Sequence, residues 1–193
     1  MLPVTVHTSI SAPREDVFDL LCDLSLREAW MDHFITGLRL AHPDAKGQGA
    51  AIRFRLNAPR YKPWLQSQIA DADRPRRVRE EIAGGHGGRT HGEWTFELSR
   101  QGRDLTRVEL TMWTEAGTPR ERFLERLGAR RWLRGQAKVA LQRLRSYFEE
   151  RPDAPLARAT VAGWEPQKAP RFGVEPGPRP RPHAGPEQRA SSG

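Results

Sequence analysis

The stretch VTVHTSISAPREDVFDLLCDLSLREAW, residues 4–30, decides how the rest of the chain is read. Its first part alternates: Val4, Val6, Thr8 and Ile10 share one side of an extended segment, as a half-buried strand requires. At Ser11-Ala12-Pro13 the period changes. Val17, Phe18, Leu20, Leu21 and Leu24 recur at spacings of three, four and seven, the stripe of an amphipathic helix of about three turns. Ser11 is placed to cap that helix and Pro13 to occupy its first turn, where a missing N–H is tolerated. A second short helix is predicted over Leu26 to His33, with Trp30 turned against the core.

From Ile35 the period becomes two. Leu38 and Leu40, then Ile52, Phe54 and Leu56 after a turn at Lys46 to Gly49, lie on one face, while Arg39, Arg53 and Arg55 take the other. A strand over about Trp64 to Asp71 turns through Asp73-Arg74-Pro75 and returns as Val78, Glu80 and Ile82. After the glycine-rich turn Gly84 to Gly88, Thr90, Gly92, Trp94, Phe96 and Leu98 share a face. Beyond Gln101 to Asp104, so do Thr106, Val108, Leu110 and Met112, with Trp113 on the opposite side. Thr118-Pro119-Arg120-Glu121 has the form of a capping box and predicts a helix start. Unbroken to Glu149, that helix spans roughly 45 Å. Its apolar stripe, Leu133, Ala137, Ala140, Leu141, Leu144, Tyr147 and Phe148, puts Arg126 and Arg130 on the buried side when extended backwards. A kink or break is therefore expected near Gly128 to Arg131.

The domain so outlined covers residues 1–150, and residues 151–193 read as a disordered Pro/Arg-rich tail, with nine prolines and few aliphatic side chains to offset the entropy of ordering. The tail carries seven of the 32 basic residues and four of the 24 acidic ones, so the net charge of +8 is spread along the chain. With no aromatic interleaving in the basic segments, no nucleic-acid partner is expected. Only Lys46, Lys62, Lys138 and Lys168 are lysines, an arginine preference of the kind GC-rich coding produces. The single cysteine, Cys22, cannot form an intramolecular disulfide and fits a reducing cytoplasm. The N-terminus lacks the pattern of a signal peptide and no apolar run is long enough to span a bilayer, which leaves peripheral membrane contact open.

The order of strand, two short helices, antiparallel meander and long C-terminal helix resembles the START-like (SRPBCC) superfamily, and within it the polyketide cyclase/dehydrase and lipid-transport group. The residues that carry the likeness are Ser11 to Phe18, Asp23, Trp30, Gly49, Ile69 to Val78, and the paired segments Phe96 to Leu98 and Leu105 to Val108, within a span of about residues 3–150. The resemblance implies an α+β helix-grip fold, in which a curved antiparallel sheet wraps the C-terminal helix around a cavity for an apolar ligand. Members include carriers of lipids and quinones as well as aromatase/cyclases, and the fold alone does not choose among them.

Phe54, Ile69, Trp94, Phe96, Leu110 and Met112 are the expected ligand-binding wall, with Ser67 and Glu80 as its polar members. The competing reading is a filled core. Glu80, in phase with Val78 and Ile82, is either a ligand anchor, an acid–base group or a strand-end residue reaching water. Ser67 faces inward only if the register holds; a slip by one residue substitutes Gln66 and Gln68. Arg126, Arg130 and Arg134 face a pocket mouth if the helix is unbroken, and solvent if it kinks. His86 and His91, with the scattered His7, His33 and His42, lack the convergent spacing of a metal site and read as surface residues, so no metal or other cofactor is expected. The function these residues support is binding of a hydrophobic small molecule such as a lipid or polyketide, as carrier or sensor, with an aromatase/cyclase-type enzyme as the alternative.

Overall fold

The computed structural model of the protein describes residues 2–59, 61–85, 88–124 and 128–150. The expected tail, His86 and Arg126 lie outside them. Seven strands follow the predicted alternation: β1 (Val4–Ile10), β2 (Ile35–Leu40), β3 (Ala51–Leu56), β4 (Trp64–Asp73), β5 (Arg77–Gly84), β6 (Thr90–Arg100) and β7 (Thr106–Glu115). They form one antiparallel sheet in the order β1-β7-β6-β5-β4-β3-β2, a meander closed on one side by the first strand pairing with the last. The sheet curls into a half-barrel around the C-terminal helix, the helix-grip arrangement.

Between β1 and β2 stand α1 (Arg14–Cys22), a 3₁₀ turn at Leu24–Leu26, and α2 (Glu28–Met31). The expected cap at Ser11 is not formed. Pro13, extended at φ −57° and ψ 145°, is the residue before the first turn of α1, and the Ser11 hydroxyl instead donates to Glu149 Oε1 at 3.3 Å. Asp23 holds the next turn: its Oδ1 accepts from the Ser25 backbone N–H (3.1 Å) and hydroxyl (2.5 Å), and Lys46 Nζ lies 3.1 Å from Oδ2. The second helix is shorter than the range Leu26 to His33 at both ends: Leu26 belongs to the 3₁₀ turn, and α2 runs from Glu28 to Met31.

In β2 the buried positions are Ile35, Leu38 and Leu40, a spacing that strict alternation forbids. Gly37, at φ +62°, sits in a bulge that absorbs the extra residue and returns Leu38 to the inner face. At the other end of the chain, α3 (Pro119–Leu124) and α4 (Arg130–Glu149) are separate helices, and Gly128 takes φ +101° between them. The expected break is there. Leu133, Ala137, Ala140, Leu141 and Leu144 bury the stripe of α4 in the core, whereas Arg130 and Arg134 are exposed, as a kinked helix predicts.

The inner face of the sheet, the apolar sides of α1 and α2 and the stripe of α4 make one continuous core. Its aromatic centre is Trp94, with ring centroids 5.7 Å from Phe54 and 6.3 Å from Phe34. Among the described residues, no helix is long and apolar enough to cross a membrane.

Candidate functional site

The register places Ser67 inward, since Leu65, Ser67 and Ile69 are buried and Gln66 and Gln68 exposed. Glu80 points to the same interior. On β5 it stands opposite Ile69 of β4 and Trp94 of β6, with Ser67 one pleat away diagonally. The Ser67 hydroxyl donates to Glu80 Oε2 at 2.6 Å. Of the residues expected to form the wall, Phe54, Ser67, Ile69, Glu80, Phe96, Leu110 and Met112 are 0 % exposed and Trp94 is 2 % exposed. Neighbouring side chains therefore cover the wall completely.

The partner that sequence reasoning missed is Arg27. It lies between the 3₁₀ turn and α2, is itself fully buried, and its Nη2 donates both to Glu80 Oε1 at 2.5 Å and to the Leu21 carbonyl at 3.2 Å. Trp30, three residues on, brings its ring alongside the guanidinium, as spacing on a helical turn dictates. The guanidinium carbon is 4.9 Å from the Trp30 ring centroid and 5.3 Å from that of Phe96. Those two rings meet edge to face at 6.1 Å. The cation is thus solvated by aromatic faces and one carboxylate in place of water. A signal was present in the chain: Leu20, Leu24, Arg27 and Met31 recur at spacings of four, three and four, so an arginine stands on an apolar stripe.

Charge in the core is balanced, but hydrogen bonding is not. Arg27 Nε and Nη1 and Trp30 Nε1 are buried with no hydrogen-bond partner. Both oxygens of Glu80 already accept, one from Arg27 and one from Ser67. Each oxygen keeps a further lone pair, so the arrangement can still accept a donor as well as offer N–H groups to an acceptor.

Other candidates separate from this cluster. Burial raises the Cys22 thiol to about 11, which removes it as a nucleophile. His7, His42 and His91 are exposed, whereas His33 departs from the surface reading: it is half-buried and its Nε2 contacts the Gln136 carbonyl at 3.0 Å, joining the end of α2 to α4. Trp113 is half-buried on the outer face. Among the described residues, no group of three or more histidine, cysteine or acidic side chains could hold a metal ion.

Among curated proteins none matches the chain. Solved structures do: the protein TTHA0849 of Thermus thermophilus superimposes with a TM-score of 0.60 at 20 % identity, over 78 % of this chain and 99 % of that one. A START superfamily protein of Mycobacterium smegmatis gives 0.56 at 12 % identity, covering 77 % and 97 %. The Aha1 dimer of Colwellia psychrerythraea gives 0.51 at 20 % identity, covering 78 % and 98 %. At such identities the likeness is one of fold. Residues 1–149 match the family described as polyketide cyclase/dehydrase and lipid transport, and the chain belongs to that family.

Proposed function

We propose that the protein binds an apolar small molecule against the concave face of its sheet and acts as a carrier or sensor in a reducing cytoplasm. The observation that carries this reading is the union of an apolar wall with orphaned buried donors: Phe54, Ile69, Trp94, Phe96, Leu110 and Met112 are buried in the same core as a guanidinium that keeps two nitrogens without acceptors. Leaving such groups unpaired costs about 1 to 3 kcal/mol each. A purely structural ion pair gains nothing from that cost; a binding site recovers it when its guest supplies an acceptor. Because the wall is covered, a guest enters by displacing side chains rather than by filling open space. Family membership supports the same reading at the level of an apolar-ligand fold.

Native mass spectrometry of the protein purified from its own host tests the proposal. A retained apolar molecule, extractable into organic solvent, is the expected result; a bare chain that also takes up no apolar molecule offered to it overturns the reading.

One observation favours the second reading, an aromatase/cyclase-type enzyme: Glu80, Ser67 and Arg27 converge within hydrogen-bond reach. Glu80 is the group that would move a proton. Each of its oxygens already accepts one hydrogen bond, and the lone pair left on each is where a proton would be received. Conversion of a poly-β-ketone to a cyclised product, lost in Glu80→Gln while binding persists, would establish the enzyme.

A further inference from the structure

We propose that the outer face of the sheet at β2, β3 and the start of β4 docks on an anionic lipid surface, with Arg39, Arg53 and Arg55 meeting the headgroups and Trp64 seated at the boundary. The outside of the sheet carries this docking, whatever its concave side binds.

Charge divides the outer face in two. Towards β5, β6 and β7 its arginines are neutralised: Arg77 pairs with Asp71 at 2.8 Å, Arg79 with Glu81 at 3.1 Å and Glu93 at 3.4 Å, and Arg107 with Glu109 at 3.4 Å. At the β2–β3 end Arg39, Arg53 and Arg55 are exposed, and among the described residues none of the three has an acidic partner. Arg39 and Arg53 stand directly opposite each other in the register, and Arg55 follows Arg53 on the same face. Like charges so placed weaken a sheet. Protection of an open strand edge accounts for Arg39 alone, because β3 is paired on both sides. Three cations left without a counter-charge in the fold attract one from outside it.

Trp64 identifies what supplies that charge. It lies opposite Arg55, is 45 % exposed, and has the Arg53 guanidinium carbon 5.5 Å from its ring centroid. The ring reaches across β3 to Gly37 of β2, where a Cβ would lie 3.3 Å from Cη2. An indole with an apolar body and one N–H settles at the level of lipid headgroups, and the arginines beside it are placed to meet phosphates. A protein partner would need an apolar centre to desolvate. Trp64 is the only exposed large hydrophobic side chain on these three strands. A lipid surface asks for less: clustered positive charge and an interfacial ring.

The test sediments the full chain with vesicles of phosphatidylcholine, with or without phosphatidylserine. Binding to the phosphatidylserine vesicles is expected to be at least roughly tenfold tighter and to weaken as salt is added. The triple variant Arg39→Thr, Arg53→Thr and Arg55→Thr, which relieves the cross-strand repulsion, is expected to keep its melting temperature and to bind roughly a hundredfold more weakly. Removal of two exposed arginines from α4, Arg131→Ser with Arg134→Ser, is expected to leave most of the binding. Brominated acyl chains in the same vesicles are expected to quench part of the tryptophan fluorescence, and Trp64→Phe to abolish that part. Equal binding to both kinds of vesicle, or none, overturns the proposal. So does undiminished binding by the triple variant, an equal loss in the α4 variant, or quenching that persists in Trp64→Phe. Polyaspartate that binds the chain more tightly than the vesicles do overturns the lipid surface in favour of an acidic protein.

Discussion

At the scale of single residues, the Arg27–Glu80 pair concentrates the energetics of the core. Two full charges out of water are tolerable only together, because the attraction between them offsets a desolvation cost that neither can offset alone. Glu80→Ala is expected to cost about 3 to 5 kcal/mol of folding stability, read from urea unfolding, and Arg27→Met in the same chain to restore much of it. A loss that the second substitution deepens would show that the two side chains act independently. The phase of Glu80 with Val78 and Ile82 was legible in the sequence because a strand has period two, whereas period alone left open a strand-end carboxylate reaching water. Arg27 shares a stripe with Leu20, Leu24 and Met31, but that signal was faint for a physical reason. The residue stands where a 3₁₀ turn becomes an α-helix, and the change of pitch blurs the stripe by which an inward residue is recognised.

At the scale of elements, the short α2 is tied to α4 by two links. One is the contact of His33 with the Gln136 carbonyl; the other is an ion pair between Arg143 and Asp32. A carbonyl only accepts, so His33 Nε2 carries the hydrogen, and Nδ1 is buried without a partner. Burial is the main cause holding the His33 imidazole below its ordinary value of 6.5. The unfolded chain therefore binds this proton more readily than the folded one. The contribution is fully present above 6.5 and is lost as the pH falls from there toward the lower folded value. The urea midpoint is expected to drop between about pH 7 and about pH 5, and His33→Gln to flatten that part of the dependence. An unchanged slope in the variant would place the effect elsewhere. Neither link was legible beforehand, because no local pattern tells which helix a lone histidine will meet. The break before α4 was legible: Arg126 and Arg130 conflicted with the stripe of Leu133 and Ala137, and Gly128 supplied the positive φ that resolves the conflict.

At the scale of the whole molecule, one core holds sheet and helices together, and Trp94 lies at its centre between Phe54 and Phe34. Trp94→Ala is expected to cost about 3 to 5 kcal/mol if the ring is structural filling. A near-normal melting temperature combined with weakened uptake of an apolar guest would make Trp94 a wall of the site instead. The sheet's strand order follows the alternating segments closely, whereas the filling of its concave side depends on curvature and helix placement that alternation does not encode. Pairing of β1 with β7 also orders events during synthesis. The ribosome delivers Val4 to Ile10 first, yet their hydrogen-bonding neighbour, Thr106 to Met112, emerges about a hundred residues later. Until then the N-terminal strand has no strand partner on either edge, and Arg27 can have no carboxylate from β5 before that strand appears. The nascent chain must carry its charged core residue in water and exchange that water for Glu80 and aromatic rings only when the sheet assembles, so completion of the fold waits until residues through Met112 have emerged.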